Sequence, residues 1–186
     1  AKTFPASIDT EEWIRMASRP GIDEEVVNVR KRLGLTPNGW VGIGVDRMEY
    51  TKGILERFSA MDRFLFRCPE YHGKFTFIQI ASPSRTAMAE YREYAKRVEN
   101  LVLDINKRYG FNGWKPIEYY PFHVKPEELA VYYRAADIAV VSPFADGMNL
   151  VAKEFVASQI DERGVLLLSK FAGAAHEMKG ALFIDP

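Results

Sequence analysis

Apolar residues along this chain gather into short unbroken runs, and longer segments with a helical beat separate them. "GWVGIGVDRM" (39–48), "KFTFIQIAS" (74–82), "PIEYYPF" (116–122), "IAVVSP" (138–143), "GVLLLSK" (164–170) and "ALFIDP" (181–186) read as strands. Runs of this length without polar alternation fit strands covered on both faces. The intervening segments predict helices over 21–35, 52–66, 86–108, 125–137, 149–159 and, shorter, 173–178. In the first, Val26, Val27 and Leu33 fall on a roughly helical period. In the second, Ile54, Leu55, Phe58, Met61 and Leu65 share one broad face, and Lys52 opens the helix. Pro126 sits in the first turn of the helix over 125–137, where it is tolerated.

Strand and helix alternate strictly. This predicts an α/β fold, a Rossmann-like doubly wound and mostly parallel sheet with helices on both sides. Residues 1–20, bracketed by Pro5 and Pro20, read as an irregular linker, which leaves 21–186 as the domain. There is no internal repeat or low-complexity segment. The final strand lacks a following helix, so the chain is expected to be part of a longer one.

Composition narrows the partners. Lys plus Arg and Asp plus Glu are 25 each among 186 residues. That balance gives no argument for nucleic acid or an anionic membrane surface, so a phosphate ligand would need a local cluster of cations. No run approaches the roughly 18 apolar residues of a membrane helix, and the start does not read as a signal peptide. The single Cys68 excludes an internal disulfide framework and a multi-cysteine metal site, and it fits a reducing, cytoplasmic setting. His72, His123 and His176 lie in three segments without metal-ligand spacing, and Trp13, Trp40 and Trp114 are expected to pack.

In an open parallel sheet, ligands bind beyond the carboxyl ends of the strands, and three loops there carry candidate chemistry. In "GVDRMEYTKG" (44–53), Arg47 and Lys52 flank a strand-to-helix turn. Two cations beside a helix N-terminus make an anion site, although ordinary solvated cations fit the same pattern. In "ASPSRTAM" (81–88), Arg85 follows a strand, with Ser82 and Ser84 as candidate helix caps. In "SPFADGMNLVAKEF" (142–155), Gly147 allows a tight turn or close backbone approach, and the amides near Met148, Asn149 and Leu150 face the cleft. Asp146 can accept hydrogen bonds from sugar hydroxyls. Glu154 lies on the same helix side as Leu150, within a largely apolar helix where a carboxylate needs a partner.

Together, "GVDRMEYTKGI", "SPSR", "DGMNLVAKEF" and "LLLSKFAGAAHEM" resemble the trehalose-6-phosphate synthases, retaining glycosyltransferases of the two-domain GT-B type. The likeness runs from about Phe4 to Pro186. It implies transfer of glucose from UDP-glucose to glucose-6-phosphate, with this chain as the C-terminal, donor-binding half. Arg47 and Lys52 match the pair on the donor diphosphate, and with Asp146, which matches the contact to the transferred glucose, they form the implied catalytic set. Main-chain groups from Gly147 to Leu150 match the loop around the sugar and phosphates. Glu154 matches the ribose ligand, Val124 the position whose backbone meets uracil, and Arg85 an arginine on the acceptor phosphate.

The resemblance implies no protein nucleophile, no obligatory cofactor and no required Mg2+. The implied partners are a nucleotide sugar, a sugar phosphate and an N-terminal acceptor domain that this chain lacks. A homo-oligomer stays open. Without the acceptor domain, the chain is expected to bind donor weakly and not to catalyse transfer alone. Other readings remain: ADP- or GDP-linked donors, the acceptor of glucosylglycerol-phosphate synthase, or a non-catalytic homologue that binds the nucleotide sugar.

Overall fold

The computed structural model describes residues 4–35, 38–84 and 87–186. Six strands form one sheet: β1 (Trp40–Arg47), β2 (Phe75–Ser82), β3 (Ile117–Tyr120), β4 (Ile138–Val141), β5 (Val165–Ser169) and β6 (Leu182–Ile184). Their order is β3-β2-β1-β4-β5-β6, and every pairing is parallel. The sheet is thus fully parallel, and the predicted Rossmann-like doubly wound fold is the one observed.

Six helices connect and cover it: α1 (Thr10–Ala17), α2 (Ile22–Arg32), α3 (Ile54–Arg67), α4 (Ala89–Tyr109), α5 (Pro126–Ala135) and α6 (Leu150–Ser158). Alternation along β2 sorts the two sides. Ile78 and Ile80 join a core with residues of α1, α2, α5 and α6. Phe75, Phe77 and Ala81 join a second core with Phe58 and Leu65 of α3 and Val98, Val102 and Ile105 of α4. Successive strand residues point to opposite faces, so one apolar run serves both cores. Among the described residues, no helix is long and apolar enough to cross a membrane.

Two expectations need correction. Residues 1–20 are not irregular throughout. Thr10–Ala17 form a helix whose N-cap Asp9 accepts the Glu12 amide at 3.0 Å. Trp13, Met16 and Ala17 are buried, and the Trp13 ring lies 5.6 Å from that of Tyr133. The prolines that suggested a break both fall outside the helix. The second correction is Trp40, which is 51% exposed because it opens β1 at that strand's amino-terminal end, while Trp13 and Trp114 are buried as expected.

The topology places a crevice. The chain runs outward from β1 to β2 and β3, then returns to β4 on the other side of β1. β1 pairs with β2 at eight positions but with β4 only at Gly42–Ile138 and Ile43–Ala139. Beyond Ile43 the two strands part. Such a switch point is where open parallel sheets bind ligands.

The turn after β1 depends on a glycine. Tyr50–Lys52 form a 3-10 turn, so Lys52 precedes α3 instead of opening it. Gly53 ends that turn at φ +64°, and a Cβ there would stand 2.5 Å from the Ser142 carbonyl oxygen. Left-handed backbone and close approach both exclude a side chain. Gly53→Ala is expected to destabilise the protein by about 2 kcal/mol, measured as a lowered denaturant midpoint.

Candidate functional site

The described parts of the three loops picked out in the sequence lie at the carboxyl edge of the sheet, and the structure joins them directly. Lys52 Nζ donates to Asp146 Oδ2 at 2.6 Å, with both side chains largely buried. The Phe144 amide bonds the Thr51 carbonyl at 2.9 Å, so the Asp146 loop hangs from the 3-10 turn that carries Lys52. On its other side the Asp146 amide bonds the Phe171 carbonyl, and the Gly173 amide bonds the Asp146 carbonyl. Asp146 is therefore held by its neighbours on both flanks.

Burial pushes the Asp146 carboxyl upward and is the largest single influence. The hydrogen bond and charge of Lys52, with smaller help from Asn149 and the Met148 amide, outweigh it and hold the group below the usual aspartate value. Asp146 stays ionised at neutral pH and fixes the Lys52 ammonium beside it.

Arg47 differs. It stands at the end of β1, its side chain 61% exposed, and pairs with Glu49 at 2.6 Å. Glu49 is buried, and its same oxygen also accepts the Ser84 hydroxyl at 2.8 Å. Glu49 thus ties the Arg47 loop to the loop after β2. Ser82 ends β2, and α4 begins at Ala89 after N-cap Met88, which has no side-chain cap, so neither serine caps that helix. Arg85 lies outside the described residues.

In the Gly147–Leu150 segment the strained position is Asn149, not Gly147. Asn149 has φ +73° and caps α6, accepting the Ala152 amide at 3.1 Å. Gly147 has open space where a Cβ would sit. The close approach is at Gly173, whose Cβ would meet the Gly147 oxygen at 2.1 Å. Met148 shares in this seam, its carbonyl accepting the Ala174 amide at 2.6 Å. Val124 lies between β3 and α5 with its side chain in the core.

Glu154 has the partner its position demanded. Tyr133, fully buried, donates its hydroxyl to Glu154 Oε2 at 3.0 Å. Burial pushes the Glu154 carboxyl above its ordinary value, and the tyrosine bond only partly offsets this. Burial and then the glutamate charge drive the Tyr133 hydroxyl well upward.

Sequence reasoning missed the groups beneath the turn. Arg57, Asp46, Gln79 and Ser142 form a buried polar cluster around the parting of β1 and β4. Two signals were present. Arg57 lies three residues after Ile54 and four before Met61, on the buried face of its helix, and Gln79 interrupts an otherwise apolar strand. Polar groups at core positions need partners, and here they are each other's.

The fold and the site define a class: a parallel α/β sheet with paired cations and fixed carboxylates at its switch point. Along residues 1–186 the chain matches Glycosyltransferase family 20, and it belongs to that family. It is 41% identical over 183 residues to a bifunctional trehalose-6-phosphate synthase/phosphatase of Thermoproteus tenax, which covers 98% of this chain and 25% of that protein. Two solved structures superpose along its whole length. One is an alpha,alpha-trehalose-phosphate synthase (UDP-forming) from Burkholderia xenovorans in complex with glucose-6-phosphate, with TM-score 0.92, 37% identity and 41% of that chain covered. The other is described as trehalose-6-phosphate from E. coli bound with UDP-2-fluoro glucose, with TM-score 0.91, 37% identity and 40% covered. The chain thus spans between a quarter and about two fifths of these relatives.

The raised Glu154 value makes a testable statement about stability. Its contribution is fully present below the unfolded value of about 4.5 and is lost as pH rises through the higher folded value. Glu154→Gln, which cannot ionise, is expected to melt higher than the parent at neutral pH. The difference should vanish below pH 4.5. Thermal melts of both proteins across that range check it.

Proposed function

We propose that this chain is the C-terminal, donor-binding half of a GT-B-type retaining glycosyltransferase. In the whole protein it would serve the transfer of glucose from UDP-glucose to glucose-6-phosphate, giving trehalose-6-phosphate and UDP. One observation carries the reading. The Lys52 turn and the Asp146 loop, from opposite sides of the switch point, meet at 2.6 Å, and Arg47, paired with Glu49, stands on the same loop as Lys52. The family membership and the two ligand-bound relatives support it.

In this reading Arg47 and Lys52 hold the donor diphosphate. Negative charge grows on that group as the sugar becomes oxocarbenium-like, and fixed cations placed to meet it lower the barrier. Lys52 is pre-positioned by Asp146, while the exposed Arg47 is paired with Glu49. Asp146 turns its remaining acceptor capacity to the glucose hydroxyls, and the main chain from Gly147 to Leu150 lines the sugar and phosphates. Glu154 takes the ribose diol, which compensates for the cost of keeping a carboxylate there. The main chain at Val124 meets the uracil, and Arg85 takes the acceptor phosphate.

The acceptor attacks from the face the diphosphate leaves, so configuration is retained without a protein nucleophile. The two cations supply the charge that a metal would otherwise supply, and no cofactor or Mg2+ is assigned. A second domain supplies most acceptor contacts, so this chain alone binds donor and does not transfer. The compartment assigned is the cytoplasm.

Calorimetric titration with UDP, ADP and GDP tests the donor assignment. UDP is expected to bind. Arg47→Ala or Lys52→Ala should weaken it by about 10- to 100-fold, as for loss of charge-assisted hydrogen bonds of about 1.5–3 kcal/mol. Preference for ADP or GDP would reassign the donor base. Equal binding by parent and both variants would remove the diphosphate from this loop.

A further inference from the structure

The buried cluster under the 3-10 turn has no part in the contacts assigned above, and its geometry is specific. The Arg57 side chain is 3% exposed, as is that of its partner Asp46. All three guanidinium nitrogens are used. Nε donates to Ser142 Oγ at 3.0 Å, just beyond β4. Nη1 donates to Asp46 Oδ2 on β1 at 2.6 Å and to Gln79 Oε1 on β2 at 2.8 Å. Nη2 donates to the Lys52 carbonyl at 3.3 Å. Gln79 closes the ring by donating to Asp46 Oδ2 at 3.1 Å. One planar group therefore joins β1, β2 and the end of β4 to the main chain of Lys52.

The sequence makes room for it. A Cβ at Gly44 would stand 2.4 Å from Arg57 Nη1 and 2.7 Å from Gln79 Oε1. The glycine in β1 is what allows a guanidinium to fill the gap where β1 and β4 part. Asp46 neutralises Arg57 in place, and both are enclosed by protein, so this arginine is not a phosphate ligand. A buried ion pair is also weak evidence for stability, since well-packed apolar residues often do as well. What a fixed fork of donors supplies, and apolar packing does not, is direction.

We propose that Arg57 is a positioning residue, whose guanidinium sets the Lys52 turn in the one orientation that presents the Lys52 ammonium to the departing diphosphate. This rests on the donor-site reading above. Arg57 acts through Lys52 and, because the Asp146 loop hangs from the same turn, through the Lys52–Asp146 pair. A displaced turn still binds the ground-state diphosphate through Arg47 but meets the growing charge poorly. Loss of Arg57 therefore falls on kcat more than on KM.

The test uses the full-length protein that contains this domain, with UDP-glucose and glucose-6-phosphate as substrates. Arg57→Lys keeps the charge and loses the fork. It is expected to lower kcat by about 10²-fold, the scale of a misplacement of about 1 Å, with KM for UDP-glucose raised by a smaller factor than kcat falls. Ser142→Ala removes one partner of Nε without touching a charge, and should lower kcat in the same direction by less. Rates are taken per folded molecule, with melting temperatures measured alongside. A kcat equal to the parent's with only a lower melting temperature overturns the proposal, as does a raised KM at unchanged kcat. If Arg57→Lys does not fold, Ser142→Ala decides on the same criteria. A parent that transfers no glucose overturns the functional reading itself, and an active parent with unaffected variants overturns only the role of Arg57.

Discussion

β1 and β4 share two register pairs and then separate. Everything at the carboxyl edge of this sheet answers to that separation. Parallel strands that part leave main-chain and side-chain groups facing a gap, and buried polar groups must find partners. The gap is filled from the side by Arg57, which bonds to Asp46, Gln79 and Ser142, and it is capped by the Gly53 turn lying against the Ser142 carbonyl. The same turn delivers Lys52 to Asp146. The route from sheet topology to a cation at the switch point is thus a short series of hydrogen bonds, each between named groups.

Charge is arranged in pairs across this edge. Lys52 faces Asp146, Arg47 faces Glu49, and Arg57 faces Asp46. The pairs differ in burial, and burial decides what each can do. Arg57 and Asp46 are enclosed and rigid. Lys52 and Asp146 are mostly buried but reach the surface, with side chains 11% and 15% exposed. Arg47 is mostly in water, where an ion pair is worth little and is easily exchanged. Glu154 stands apart, because its environment disfavours the ionised form and the hydrogen bond from Tyr133 offsets only part of that. A side chain kept at a cost to stability is the kind of residue that function explains better than folding.

Much was legible because the signals were local. Strand runs such as "FTFIQIAS" and the helical face of Ile54, Phe58, Met61 and Leu65 are set by neighbours a few residues away, and their elements formed within a few positions of expectation. The parallel fold followed from strict alternation. The glycine-containing "DGMNL" segment read correctly as a turn, yet the left-handed residue is Asn149 and the close approach belongs to Gly173, twenty-six positions after Gly147. The helix over Thr10–Ala17 was lost because two prolines outweighed an Asp9 cap and the Trp13–Met16–Ala17 face.

The sequence by itself determined the alternation of strand and helix, the burial of central strands such as β1 and β2 on both faces, and which loops carry cations and carboxylates. These are consequences of hydrophobic period and residue type along the chain. The run read as the last strand forms β6, but Leu182 and Phe183 are exposed. Only the tertiary structure decided which of those groups meet. Lys52 and Asp146 are ninety-four residues apart, and Arg57 and Ser142 eighty-five. Their contact depends on the strand order, which brings β4 back beside β1 across two intervening strands. No local pattern encodes a distance of that kind, because it arises from the packing of the whole sheet.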